Sequence, residues 1–333
     1  MNYSQHHLPA HLLNRLCMAG INYQQAGVDL RGAFSINPDD FPRIASLARS
    51  RRLRSVFVLS TCNRTEIYGF VDDVMTLVDL LMSQAKGSYE EFLSCAYLKS
   101  GEAAMEHLFR VAAGLESQIL GDYEILSQLR QSVDLAREYD LIGPIMARTV
   151  SYAFQASKKI KTETSLSSGT VSVSYAAIEM LKQPGNDMLK NILVIGAGKF
   201  GGNVCKNLRE YLPDSTVTIT NRTDDTAWQM AERHGLGFLP YTRLQQGIDT
   251  AHVVIVCTNS TEPTVLPEHF HNNRGAKLLL DLSVPANVHP SLRSVENIRI
   301  IDVDEISKTI LDRTFAKRQQ EVPRALQMLQ HYQ

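Results

Sequence analysis

The chain has 333 residues, of which 44% are hydrophobic, with 34 basic and 35 acidic side chains and a formal net charge of -1. The length points to two domains rather than one core and the composition excludes a disordered chain. The charge balance excludes a chain-wide basic surface for nucleic acid, though not a local one.

The first sixteen residues lack a basic start followed by an apolar run, and apolar stretches such as 192–195 and 278–280 are too short to span a bilayer. A cytoplasmic protein with no membrane contact is expected. Cys17, Cys62, Cys95, Cys205 and Cys257 are odd in number and not spaced as metal ligands, so neither a metal site nor a disulfide framework is expected.

Residues 18–23, 55–60 and 66–71 read as buried strands. The second of these runs straight into Thr61-Cys62-Asn63-Arg64-Thr65-Glu66. Residues just past a buried strand are rigidly held yet reach a cleft surface. Arg64 could favour the Cys62 thiolate, the nucleophilic form. The alternative is a small turn cysteine beside a structural Arg64–Glu66 pair. Residues 102–160 read as mostly helix, with Ala104, Leu108, Val111 and Leu115 as one stripe and Gly143-Pro144 as a break. The polar stretch 162–170 reads as a linker or the start of the next helix. Arg49, Arg51, Arg52 and Arg54 cluster before the thiol strand, and Lys158, Lys159 and Lys161 cluster near the linker. Either group could contact phosphates or form a solvated face.

Beyond Asn191 the pattern alternates between strands (192–195, 216–220, 253–257, 278–282, 298–301) and helices (200–211, and 226–234 ended by Gly235). That alternation gives a parallel, doubly wound sheet of Rossmann type. The first strand ends in Gly196-Ala197-Gly198-Lys199-Phe200-Gly201, where a helix opens. Such glycines allow a tight turn and close approach of a pyrophosphate to a helix N-terminus. The second strand ends in Asn221-Arg222-Thr223, where an NAD site normally has a carboxylate. Arg222 can pair with a 2′-phosphate, so NADPH is expected over NADH; otherwise Arg222 only caps the sheet surface. The tail, residues 305–333, is polar and helical in pattern, with Pro323 starting or kinking a segment. A thiol nucleophile and NADPH in one chain point to reduction of an acyl group through a thioester.

Ser60–Glu66 (STCNRTE) resembles the signature of the glutamyl-tRNA reductase family. So do Gly114–Gly121 (GLESQILG), which resembles a helical active-site segment, Lys161–Thr164 (KTET), Asn221-Arg222-Thr223, Asp281–Pro290 (DLSVPANVHP) and Asp302–Ile306 (DVDEI). The resemblance implies an α/β and α+β multidomain fold: an N-terminal α+β catalytic domain (1–160), a Rossmann-type NADPH domain (161–304) and a C-terminal helical segment (305–333). It implies NADPH-dependent reduction of glutamyl-tRNA(Glu) to glutamate-1-semialdehyde, the first step of tetrapyrrole (porphyrin, haem) biosynthesis, with glutamate-1-semialdehyde aminomutase as a candidate partner. It makes Cys62 and His107 catalytic. Thr61, Asn63, Arg64, Ser117, Asp122 and Glu124 become substrate-binding residues. Gly196, Ala197, Gly198, Lys199, Phe200, Gly201, Asn221, Arg222 and Thr223 become cofactor-binding residues.

Some positions depart from the family's pattern. Tyr23 stands in place of a histidine, Asp122-Tyr123-Glu124 in place of Glu-Pro-Gln, and Ala286 in place of an arginine. The chain stops at Gln333, inside the helix that usually leads to a dimerisation region, so a monomer or weak dimer is expected. Two other readings remain: a shikimate-dehydrogenase-like NADP-dependent oxidoreductase, which needs no thiol, and a non-catalytic regulatory paralogue that holds tRNA or NADPH.

Overall fold

The computed structural model describes residues 9–167, 173–182, 190–271, 275–308 and 318–332. Two compact units form: Met1–Val171 with Arg313–Gln333, and Ser172–Asp312. The division thus falls after residue 171 rather than 160, and the end of the chain joins the first unit instead of standing apart. The reason is apolar burial. Helix Val322–Gln330 has Pro323 in its first turn and sinks Ala325 and Leu329 into the first unit's core.

The first unit is built on a four-stranded antiparallel sheet ordered β2-β3-β1-β4: β1 Leu16–Asn22, β2 Val56–Ser60, β3 Arg64–Phe70 and β4 Tyr97–Ser100. All seven residues of β1 are buried, as its central place demands. Helices Met75–Met82, Gly101–Ala112 and Glu124–Glu138 pack against the strands. Helix Pro144–Glu163 starts on Pro144, whose missing N–H costs nothing there. β3 starts at Arg64, two residues before the expected strand start at Glu66, because the turn closes within three residues. Residues 113–123, expected to be helical, form turns between two helices; Gly114 and Gly121, both at positive φ, break the helix. The short edge strand β4 carries too few apolar residues to be read from sequence.

The second unit is a six-stranded parallel sheet ordered β10-β9-β8-β5-β6-β7: β5 Asn191–Ile195, β6 Thr216–Thr220, β7 Gly237–Phe238, β8 Val253–Val256, β9 Lys277–Asp281 and β10 Ile298–Asp302. This is the doubly wound order, with direction reversing between β5 and β8. β7 has only two residues and was not expected. Helices Lys199–Tyr211 and Asp224–His234 follow β5 and β6; the second ends on Gly235 in the left-handed region. The residues that join the units, 168–172 and 309–317, lie outside the described residues, and with them the end of the expected linker.

Candidate active site

Cys62 sits at the tip of the β2–β3 hairpin. Thr61 shapes the turn. Its N–H donates to the Arg64 carbonyl at 2.8 Å, and its hydroxyl accepts from the Asn63 and Arg64 N–H groups at 3.2 Å each. The Cys62 carbonyl accepts from Arg31 Nε at 3.0 Å, and the Asn63 carbonyl accepts from Tyr23 N–H at 2.9 Å. The backbone on both sides of Cys62 is therefore fixed, while the residue itself is only partly buried. Asn63 is 9% exposed, and its Oδ1 is buried without a hydrogen-bond partner. A buried acceptor left so is costly unless something else binds there.

Below the turn, Arg64, Glu66 and Tyr68 share one face of β3 by strand periodicity. Glu66 is wholly buried and collects four donors. Its Oε1 takes Arg64 Nη1 at 2.7 Å, Tyr97 Oη at 2.5 Å and His107 Nε2 at 2.9 Å; its Oε2 takes Tyr68 Oη at 2.7 Å. Gly20 makes this possible. It lies between Glu66 and Tyr97 across three strands, and a Cβ there would overlap Glu66 Cγ at 2.7 Å. Burial pushes the Glu66 carboxyl up, but Arg64 and then His107 pull it down further, so it stays well below the usual range.

Arg64 is 1% exposed and also donates from Nη2 to the Glu116 carbonyl. That bond ties the turns 113–123, which carry Ser117, to β3. Hydrogen bonds thus link the Thr61–Asn63 turn to Arg64, and Arg64 and His107 meet on Glu66; these bonds do not include Ser117, Asp122 or Glu124. The sequence reading assigned Glu66 only to a structural pair, and it did not find Tyr68, Tyr97, Gly20 or Arg31. The alternation of 64, 66 and 68 in an otherwise apolar strand was the available signal. Asp122 accepts from Glu124 N–H at 2.9 Å, which starts helix Glu124–Glu138. Burial and then Glu124 push the Asp122 carboxyl well above its usual value. A cleft of about 330 Å³ opens beside His107, lined also by Asn22, Gln24, Tyr97 and Lys99; of the expected site residues, only His107 lines it.

In the second unit the glycine loop follows β5. Gly196 has φ 112°, and a Cβ there would overlap the Cys257 carbonyl; Gly201 packs on Gly196 in the same way. A Cβ on Gly198 would meet no protein atom within 4 Å. Gly198 caps the thirteen-residue helix Lys199–Tyr211, so its open face lies at a helix N-terminus, where phosphate is favoured. Lys199 and Phe200 form that helix's first turn. Asn221 Oδ1 accepts from Ala197 N–H at 3.2 Å, and its Nδ2 donates to the Thr223 carbonyl at 3.1 Å. Arg222, between them, is exposed.

Asp281, at the end of β9, accepts from the N–H groups of Ser283, Asn287 and Val288, and burial pushes it up to about 6. Asn287 Oδ1 in turn accepts from Thr258 and Thr264. These bonds fasten the loops after β8 and β9 at the carboxyl end of the sheet, and sequence had not marked them as a network. Among the described residues no helix is long and apolar enough to cross a membrane, and no cluster of three or more His, Cys, Asp or Glu could hold a metal ion.

A glutamyl-tRNA reductase from Flavobacterium psychrophilum is 38% identical over 319 residues, which cover 96% of this chain and 76% of the relative. The chain belongs to the glutamyl-tRNA reductase family. The family's N-terminal domain model matches residues 19–164, and the "Shikimate / quinate 5-dehydrogenase" model matches residues 179–309. A second family member, from Christiangramia forsetii, is 37% identical and covers 93% of this chain and 74% of itself. The solved glutamyl-tRNA reductase of Methanopyrus kandleri shares the fold, with a TM-score of 0.51 at 24% identity over 96% of this chain and 78% of that one.

Proposed function

We propose that the chain reduces glutamyl-tRNA(Glu) to glutamate-1-semialdehyde with NADPH through a thioester on Cys62. Family membership together with the rigidly pinned, partly open Cys62 turn carries this reading. The Cys62 thiolate attacks the ester carbonyl; the carbon–oxygen bond to the terminal ribose breaks, and tRNA leaves with a proton on its hydroxyl. NADPH, when bound, would supply the hydride that reduces the Cys62 thioester to the aldehyde, with the thiolate as leaving group. The Gly198 opening, the Lys199 helix N-terminus and Asn221 would hold the dinucleotide, and Arg222 its 2′-phosphate.

Asn63 Oδ1 would accept from the ammonium of the glutamyl group, which relieves its unpartnered burial. Arg64 and Ser117 would contact the acyl group from β3 and the turns 113–123, and His107, held by Glu66 at Nε2 and lining the cleft, would assist the chemistry. Asp122 and Glu124, at the start of helix Glu124–Glu138, would contact the substrate from the end of the same turns. The aldehyde is reactive in water, so glutamate-1-semialdehyde aminomutase is the partner expected to take it.

A multiple-turnover assay of aldehyde from glutamyl-tRNA tests the reading: NADPH should support it, and no aldehyde with either cofactor would reject it. Arg222→Ala should raise KM for NADPH about tenfold and leave that for NADH unchanged, since one charge-assisted contact is lost; equal changes for both would remove Arg222 from the phosphate. Asn63→Ala should lower kcat/KM for glutamyl-tRNA about tenfold with little loss of thermal stability, because the deleted oxygen has no hydrogen-bond partner among the described residues. A large fall in stability with unchanged kcat/KM would make Asn63 purely structural.

A further inference from the structure

We propose that Tyr123, with Lys161 seated on its ring, is the platform for the unpaired 3′-terminal nucleotide of the aminoacyl-RNA. This rests on the function proposed above. Tyr123 is 44% exposed, unlike most aromatic side chains of the first unit. Lys161 Nζ stands 3.8 Å from its ring centroid, a cation–π contact. Lys158 is exposed one turn earlier on the same side of helix Pro144–Glu163.

Position makes this pair more than a surface contact. The turns that carry Ser117 close on themselves: Gly121 N–H donates to the Gly114 carbonyl at 2.9 Å, and Asp122 N–H donates to the Ile119 carbonyl at 3.0 Å. The same turns hold Arg64 through the Glu116 carbonyl, and the Arg64 charge is felt at Asp122. Tyr123 therefore follows directly on the turns that carry Ser117 and hold Arg64, the residues proposed to contact the acyl group. In an aminoacyl-RNA the acyl carbon is attached to the ribose of the last nucleotide. A protein that fixes this carbon needs its second foothold one ribose away, on a base and a phosphate.

An exposed ring beside ammonium groups matches that chemistry. Unpaired bases stack on aromatic side chains without sequence demands, and Lys161 and Lys158 can pair with the phosphate on the 5′ side. This gives the basic cluster near residue 160 a ligand, whereas a solvated face would leave Tyr123 without a task.

The test measures Kd for glutamate tRNA, intact and lacking its 3′-terminal adenosine, with wild type, Tyr123→Ala, Tyr123→Phe and Lys161→Ala. Tyr123→Ala should bind intact tRNA about tenfold more weakly, the loss expected for one stacked base. Tyr123→Phe should stay within about twofold of wild type, since the ring is kept. Truncated tRNA should bind wild type and Tyr123→Ala alike. Lys161→Ala should weaken binding and flatten its salt dependence. Tyr123→Ala binding intact tRNA as wild type does would overturn the platform, and so would an undiminished penalty on truncated tRNA. In those cases wild-type aldehyde formation would leave the function itself standing; wild type that forms no aldehyde and binds neither RNA would remove both.

Discussion

Glu66→Ala is expected to destabilise the first unit by about 3–5 kcal/mol, the usual cost of removing one partner from a buried ion pair. Four donors converge on this carboxylate, and Arg64 is 1% exposed, so its charge would be left in the core with the Glu116 carbonyl as its remaining acceptor among the described residues. Hydrogen exchange of the β1 and β3 amides reads this directly, because the single tryptophan, Trp228, lies in the other unit. Protection unchanged within about 1 kcal/mol would show that the network is not what holds the sheet.

Acid should act in the same place. Glu66 titrates below its unfolded value of 4.5, so the native state binds fewer protons in the acid range. Its contribution is complete above the unfolded value and is lost as pH falls through the folded one. The stability gap between wild type and Glu66→Gln should therefore be constant above about pH 5 and shrink below it. A gap that grows on acidification would reverse the sign and refute the ionised assignment.

Cys62→Ser is expected to lower aldehyde formation by about a thousandfold or more, since a hydroxyl without a strong base is a far weaker nucleophile than a thiolate. The fold should tolerate the change. The turn is held by Thr61, Arg31 and Tyr23 acting on backbone groups. Melting temperature should stay within a few degrees while turnover is lost. Retained turnover would favour direct hydride transfer without a covalent step, the shikimate-dehydrogenase-like reading.

Much of this architecture was legible in the residues. The central parallel strands β5, β8 and β9 are short apolar runs buried on both faces, and the more polar β6 matches its expected bounds. The glycine loop was legible because few other sequences put a left-handed residue between a buried strand and a helix. The thiol turn was legible as a place, but not its support. Glu66 reads in sequence as an ordinary acid near an arginine. Only the pairing of β1 with β3 on one side and β4 on the other puts Tyr97 and, from a helix, His107 on the same carboxylate. The turns 113–123 were misread as helix because their apolar spacing continues that of the preceding helix, and the left-handed glycines outweigh it. The tail was misplaced because its buried positions, Ala325 and Leu329, are two among many polar neighbours.

The most direct measurement is a single turnover of glutamyl-tRNA on the enzyme without NADPH, quenched in acid and mapped by peptide mass spectrometry. A glutamyl group bound to the peptide containing Cys62, absent from Cys62→Ser and discharged as aldehyde when NADPH is added before the quench, is the expected result. Aldehyde formed on addition of NADPH with no acyl group ever found on Cys62 would contradict it.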